Sequence, residues 1–134
     1  MSQLVMRQLL ETRLNTMSPA LSTSWQNVPF TPIIGTPYQR AAIIPVAPDN
    51  SAMGQHFYFE QVIFQVVLCY PENTGSNAAM ARAEALRAWF KRGTSLVGTY
   101  TVIVKDTPAI APAMSDAGWY MVPVSIGAQA SINY

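Results

Sequence analysis

The feature that most constrains the fold is the stretch 57–70, FYFEQVIFQVVLCY. It is rich in β-branched and aromatic residues and contains neither Gly nor Pro, a composition typical of a strand. Successive side chains of a strand point to opposite faces, so the even-numbered residues share one face. That face is apolar from Val62 onward and has to be covered. The opposite face is mixed and carries Gln61 and Gln65, so it is either partly wet or covered by another subunit.

The length of this strand sets a second constraint. Fourteen extended residues span about 46 Å at about 3.3 Å per residue, whereas a compact chain of 134 residues has a diameter of about 36 Å. Either the strand bends or bulges and stays within its own domain, or its first half leaves the body as an arm. On such an arm Phe57, Tyr58 and Phe59 would be unfavourable in water and favourable against a neighbour.

The composition indicates a surface that is short of charge. Charged residues make up 11% of the chain and hydrophobic residues 50%, against a charged share of about 25% in an average soluble domain. No apolar run approaches the ~20 residues of a membrane helix, so we expect other subunits, not a membrane, to cover this surface. The net charge is +1 and no basic stripe occurs, which argues against sequence-specific nucleic-acid binding.

Two amphipathic helices are predicted. The first covers residues 2–16 and ends at Ser18-Pro19, because Pro cannot continue the backbone ladder. Arg13 falls within its apolar arc and either snorkels or pairs across an interface. The second covers residues 76–92, with Ser76 or Asn77 as its cap and Gly93 as a left-handed terminator.

Residues 20–37 are predicted to be irregular because three prolines interrupt any helix or central strand. The segment is predicted to lie along the edge of the body, anchored by its apolar side chains. These anchors are Trp25, Val28, Phe30 and Ile33.

Three further strands are predicted, at residues 38–46, 98–106 and 119–129. The first pairs with 57–70 as a long hairpin whose tip is residues 47–55. Pro123 lacks an amide hydrogen, so the last strand either lies at an edge or points that position away from a partner. The order of elements predicts one α+β domain, residues 1–134. We expect a mostly antiparallel sheet of about four to five strands, packed by two helices, with a long protruding hairpin.

A search for catalytic chemistry finds little. The chain has one His and one Cys, which precludes the usual zinc sites, and it lacks the common phosphate-binding and hydrolase motifs. His56 stands beside the hairpin tip with no acid or nucleophile near it in sequence. Cys69 is interpreted as a small buried hydrophobe. We therefore expect neither a catalytic site, a cofactor nor a metal, and interpret the chain as an oligomeric, non-enzymatic subunit.

Short motifs then point to a family. They are WQNVPFTP at 25–32, PYQR at 37–40, FKRG at 90–93 and VPVSI at 122–126. In this order, and over nearly the whole chain, they resemble the tail terminator (tail-completion) proteins of long-tailed bacteriophages. The resemblance implies a ring, usually a hexamer, on the last ring of the tail tube. Such a ring stops tube growth, meets the head–tail connector protein with its other face, and leaves a pore through which DNA passes.

The resemblance also implies a location and a set of partners. The protein is expected at the head-proximal end of the virion tail after synthesis in the host cytoplasm, where the absence of a secretion signal leaves it. Its partners are copies of itself, the tail tube protein and the connector protein, with no membrane. The family supplies no catalytic residues.

Two sets of site residues are predicted on this basis. The candidates for subunit contacts are Arg13, Ile43, Ile44, Phe57, Tyr58, Phe59 and Gln61. The candidates for the lining of the pore are Glu60, Glu72, Asp106 and Asp116.

Two other classes of protein remain as alternatives. One is another ring component of the same assembly, either a tube subunit, which must stack on itself indefinitely, or a connector stopper. The other is an unrelated small-molecule-binding domain or enzyme, which would be a monomer or dimer with a defined pocket.

Overall fold

Two helices and eight strands make up the fold over the residues that the computed structural model describes, which are 2–17, 21–33, 35–50, 57–72, 75–116 and 118–133. The helices are α1 (Ser2–Asn15) and α2 (Asn77–Trp89). The strands are β1 (Ser22–Ser24), β2 (Tyr38–Asp49), β3 (Phe57–Pro71), β4 (Ser95–Val97), β5 (Thr101–Val104), β6 (Ala109–Ile110), β7 (Met114–Asp116) and β8 (Trp119–Asn133).

All eight strands belong to one sheet, in the order β1-β2-β3-β8-β5-β4, with β6 and β7 also paired to β8. β3 and β8 are antiparallel along their whole length, from Phe57↔Asn133 to Pro71↔Trp119. β2 is antiparallel to β3, with an irregularity between Val46 and Asp49, so the predicted hairpin is confirmed. β1 runs parallel to the start of β2.

The long strand stays within its own subunit as far as the described residues reach. β8 runs to Asn133 and accompanies β3 to Phe57, so the first half of β3 is a middle strand and not the base of a free arm. Tyr58 packs against the core. The expectation of a protruding hairpin is thus wrong for Tyr58 and Phe59, because the last strand is longer than its sequence pattern predicted. Of the predicted hairpin tip, residues 47–49 belong to β2 instead, whereas residues 51–55 and the neighbouring His56 lie outside the described residues.

The predicted count of four to five strands was too low. The missed strands β1, β4, β6 and β7 are two or three residues long, too short to show an alternating pattern. They form as hydrogen-bonded neighbours of other strands of the sheet. β5 is shorter than its prediction because residues 98–100 turn the chain between β4 and β5.

The helices pack on one face of the sheet. α1 contacts β2, β3 and β4, and α2 contacts β3 and β8. This helix-covered face carries the even-numbered residues of β3 and β8, as predicted, and Phe64 packs against Phe90 with ring centroids 6.0 Å apart. Its fully buried side chains include Met6, Leu10, Phe64, Val66, Leu68, Ala83, Leu86, Val122, Val124 and Ile126.

The ends of α2 differ from the prediction. Ser76 is the N-cap residue but its side chain makes no capping hydrogen bond. The helix ends at Trp89, where the amide of Phe90 donates to the carbonyl of Leu86, and Phe90 turns into the core. Gly93 does have a positive φ of 89°, yet it lies in the turn before β4 and is not the helix terminator.

Pro123 lies in a central strand because its position needs no amide hydrogen toward β3. Its carbonyl accepts a hydrogen bond from the amide of Ala111, just beyond β6. The nitrogen and carbonyl of one strand residue point to the same side, so the proline nitrogen faces away from β3. The second of the two expectations for this residue is therefore correct.

Substitutions on the two faces of β3 should lower the free energy of unfolding by different amounts. Phe64→Ala should lower the free energy of unfolding by about 3–5 kcal/mol, because a large cavity forms beneath the helices. Ile63 lies on the other face of the same strand and is only half-buried. Ile63→Ala should therefore lower the free energy of unfolding by clearly less. Denaturant unfolding of the monomeric subunit measures both, and equal losses would contradict the assignment of the faces.

Candidate functional site: a sheet face without helices

The face of the sheet opposite the helices is the most distinctive surface of the subunit, and we call it the open face. Cross-strand partners share a face, so the register places the odd-numbered residues of β3, β8, β5 and β4 and the even-numbered residues of β2 on it. No helix among the described residues covers it. Four large hydrophobic residues on this face are exposed: Ile44 by 42%, Ile103 by 41%, Met114 by 55% and Val97 by 78%. Such a surface is typical of a contact site.

One side of the open face is bounded by residues 25–33, which we call the strap. The strap begins with a turn, in which the amide of Val28 donates to the carbonyl of Trp25, and continues without regular structure. It crosses the outer edge of β2. Trp25 packs against the core on the helix-covered side, and Phe30 stacks on Tyr38 on the open face with centroids 5.2 Å apart. A cavity of about 600 Å³ lies between residues 24–29 and the open-face residues of β2 and β3. Val28 and Ile33 are 53% and 69% exposed, so they do not anchor the strap as predicted.

The strap also protects the edge of β2. The side-chain oxygen of Gln26 accepts a hydrogen bond from the amide of Ile43 at 3.0 Å, and Pro45, two residues on, has no amide hydrogen. An edge without free donors is a poor template for another strand. Pairing of another strand with this edge of β2 is therefore disfavoured.

A compact cluster lies on the open face beneath the strap. Tyr38, Cys69 and Met121 are buried together, and Trp119 meets Tyr38 edge-on at 4.9 Å. Burial raises the pKa of the Cys69 thiol, opposed by its hydrogen bond with Tyr38 and by the nearby Arg40. The interpretation of Cys69 as a buried hydrophobe is confirmed by its exposure of 0%.

The other side of the open face is bounded by residues 105–109, which enclose a cavity of about 290 Å³ with β3 and β8. The ammonium of Lys105 donates to the side-chain oxygen of Gln61 at 2.8 Å, and its amide donates to the carbonyl of Gly127. A Cβ atom at Gly127 would lie 3.3 Å from the carboxylate of Asp106. The absence of a side chain there lets this segment approach the sheet.

The predicted contact residues are divided between the two faces. Ile44, Phe59 and Gln61 lie together on the open face. Ile43 and Tyr58 lie on the helix-covered face and pack against the core. For these two residues the structure points away from a contact role, because they complete the subunit's own core. The side chain of Phe57 lies outside what the structure describes.

Arg13 is engaged within the subunit. Its guanidinium lies 4.1 Å from the centroid of the Trp89 ring and donates to the carbonyl of Trp89 at 2.8 Å. The indole nitrogen of Trp89 donates in return to the carbonyl of Arg13 at 2.8 Å. Arg13 therefore joins α1 to the end of α2, and the prediction that it contacts another subunit is not supported.

The four predicted pore residues do not converge in one subunit. Glu60 lies on the helix-covered face and is only 5% exposed. Glu72 is exposed near the opposite end of β3, about 40 Å along the strand. Asp116 lies near Glu72, in the hairpin of β7 and β8, and its side chain is not described. Asp106 is exposed beside the open face.

A buried cation in α2 was missed by sequence reasoning. Arg82 lies on the buried side of the helix. Burial lowers the pKa of its guanidinium, and the nearby Tyr70 opposes that shift. The alanine-rich composition of the helix hid this residue, although its spacing from Ala79 and Leu86 places it on the same face.

The described residues offer neither a metal site nor a membrane span. Among them no three His, Cys, Asp or Glu side chains lie close enough to hold a metal ion. Neither described helix is long and apolar enough to cross a membrane.

Comparison with known proteins now decides the family. A family model for the phage tail terminator protein matches residues 5–127. The chain belongs to the phage tail terminator family. The resemblance drawn from its short motifs is thereby confirmed, and the family makes this protein a structural component of a phage tail.

A solved structure supports the assignment of the fold. The protein in that structure is 29% identical to this terminator-family chain, and the two superpose with a TM-score of 0.78. The match covers 100% of this chain and 99% of the other. No curated protein matches the chain.

Two neighbouring isoleucines test the assignment of the open face. Ile44→Ser should change the free energy of unfolding by less than about 1 kcal/mol, because the residue is exposed, whereas Ile43→Ser should cost about 1–3 kcal/mol. Denaturant unfolding at a concentration where the subunit is monomeric measures both. Light scattering at high concentration should show weaker self-association for Ile44→Ser, and unfolding of this variant would refute the open-face assignment.

Proposed function

We propose that this terminator-family protein forms a ring, a hexamer as the family resemblance implies, on the last ring of the tail tube. There it ends tube polymerisation and offers its other surface to the head–tail connector protein. The ring stands at the head-proximal end of the tail in the virion. DNA passes through its central hole without sequence-specific contact.

One observation carries the proposal: a chain of the tail terminator family has a large sheet face that its own helices leave uncovered. The exposed Ile44, Val97 and Ile103 on that face would be costly to keep in water and favourable in a contact. The low charge of the whole chain, 11%, agrees with contacts from which charged residues are depleted.

The mechanism is steric. A tube grows because each added ring offers the surface that the next ring needs. A ring that matches the tube on one side only ends this addition, and no bond is made or broken. The protein therefore needs no catalytic group for this task, in keeping with a structural subunit.

The residues of the subunit take roles accordingly. We propose Ile44, Phe59 and Gln61 as contact residues, and Glu72, Asp106 and Asp116 as candidates for the pore. Glu60 could reach the pore only if the subunit rearranged on assembly, because the core covers it in the single chain. A net charge of +1 supplies little of the attraction that phosphate-binding surfaces use, which suits free passage of DNA.

The test is a capping experiment. Purified protein is added to the tail tube protein of the same phage during polymerisation, and the tubes are measured by electron microscopy. We expect annular particles, a ring at one end of each tube, and shorter tubes as more protein is added. Ile44→Ser, which we expect to leave the subunit folded, should cap less well than the wild type.

The alternative functions predict different results in this experiment. A protein that grows into long tubes alone would be a tube subunit. A protein that binds the connector but leaves tube length unchanged would be a stopper. A monomer that forms no annular particles with tubes present would contradict the proposal.

A further inference from the structure

A groove of about 450 Å³ opens on the open face where β3, β8 and β5 meet. Two aromatic residues, Phe59 and Tyr100, line it together with Ile103. The remaining lining residues are Thr99, Thr101, Gln129 and Ser131. No charged residue lines this groove. Exposed grooves lined by aromatic residues are the kind of site that binds extended, proline-rich segments.

The strap has the matching chemistry. Residues 28–33 read VPFTPI, with prolines spaced as P-x-x-P, and residues 29–33 form no helix or strand. Phe30 fastens the segment to Tyr38, while Pro29, Pro32 and Ile33 face outward and are exposed. The strap lies within a run, residues 14–39, that contains no charged residue. Burying it against the groove therefore removes no charge from water.

The strap cannot reach the groove of its own subunit. Phe30 packs on Tyr38, which pairs with Cys69 at one end of β3. Phe59 lies ten residues away along the same strand, about 33 Å at 3.3 Å per residue. The four residues from Phe30 to Ile33 span only about 13 Å when extended. The strap also lies at the β1–β2 edge, whereas the groove lies on the β8–β5 side.

We propose that residues 28–33 of one subunit bind in the Phe59–Tyr100 groove of the next copy. The inference rests on the proposed ring and specifies its contact. Because strap and groove are different surfaces, the contact is head-to-tail, and such contacts close into a ring when the rotation between neighbours divides a full turn. The prolines hold the strap extended before it binds, which lowers the entropy lost on association.

Two variants separate the halves of this contact. Ile103→Asp places a carboxylate in the groove, and Pro32→Asp with Ile33→Asp places two on the strap. Each variant alone should remain monomeric by light scattering where the wild type assembles, with an unchanged circular-dichroism spectrum. Thr101→Asp is a second groove variant should Ile103→Asp fail to fold. Met80→Asp, at an exposed apolar residue of α2, is the control and should assemble normally.

Mixing the two variants gives the decisive result. The strap variant keeps an intact groove and the groove variant an intact strap, so an equimolar mixture should form a one-to-one complex and nothing larger. Persistence of monomers in the mixture, normal assembly of either variant, or loss of assembly in Met80→Asp would overturn the proposal.

A peptide experiment separates this inference from the proposed function. A synthetic peptide of residues 26–36 should bind the full-length strap variant, and its affinity for a variant that also carries Ile103→Asp should fall by roughly tenfold or more, because a carboxylate is then buried without a partner. Peptide binding in the absence of rings would leave the strap contact intact and refute the ring. Rings without peptide binding would refute the strap contact and leave the ring.

Discussion

The pairing of β3 with β8 is the constraint on which the rest of the structure depends. The two strands run antiparallel along fifteen residues each, from Phe57↔Asn133 to Pro71↔Trp119. Because side chains alternate, this single register assigns every residue of both strands to one face. A slip of β3 by one residue would move Phe64, Val66 and Leu68 out of the core together. β2 pairs with the outer side of β3, and the short strands beyond β8 pair with the outer side of β8 or with each other.

The two faces of the sheet differ in what covers them. Both helices pack on one face, where the side chains are apolar along most of each strand. The other face alternates amide and apolar side chains, in the order Gln61, Ile63, Gln65 and Val67. It is bounded by the strap on one side and by residues 105–109 on the other. The helices therefore cover one face of the sheet and leave the other uncovered, and the proposed contacts lie on the uncovered face.

Both edges of the sheet are poor sites for pairing with another strand, which favours contacts through the faces. The amide of Ile43 is taken by Gln26, and Pro45 offers no donor. At the far edge β4 is only three residues long. The proposed ring needs a defined number of copies, and open strand edges would allow unlimited addition. Side-chain contacts of fixed geometry between a strap and a groove suit a closed assembly better.

The long strands, the two helices, the α+β class and the family could be predicted from the sequence, because they follow from alternation, helical spacing and motifs along the chain. The even face of β3 could likewise be predicted as the core. Which strands are neighbours became clear only from the folded structure, since pairing depends on contacts between residues far apart in sequence. In the structure Tyr58 and Ile43 pack against the core, and Glu60 is buried. Arg13 contacts Trp89. The strap was predicted as an irregular segment at the edge of the body, but the Phe59–Tyr100 groove was not, because its lining residues are far apart in sequence and meet only in the folded chain.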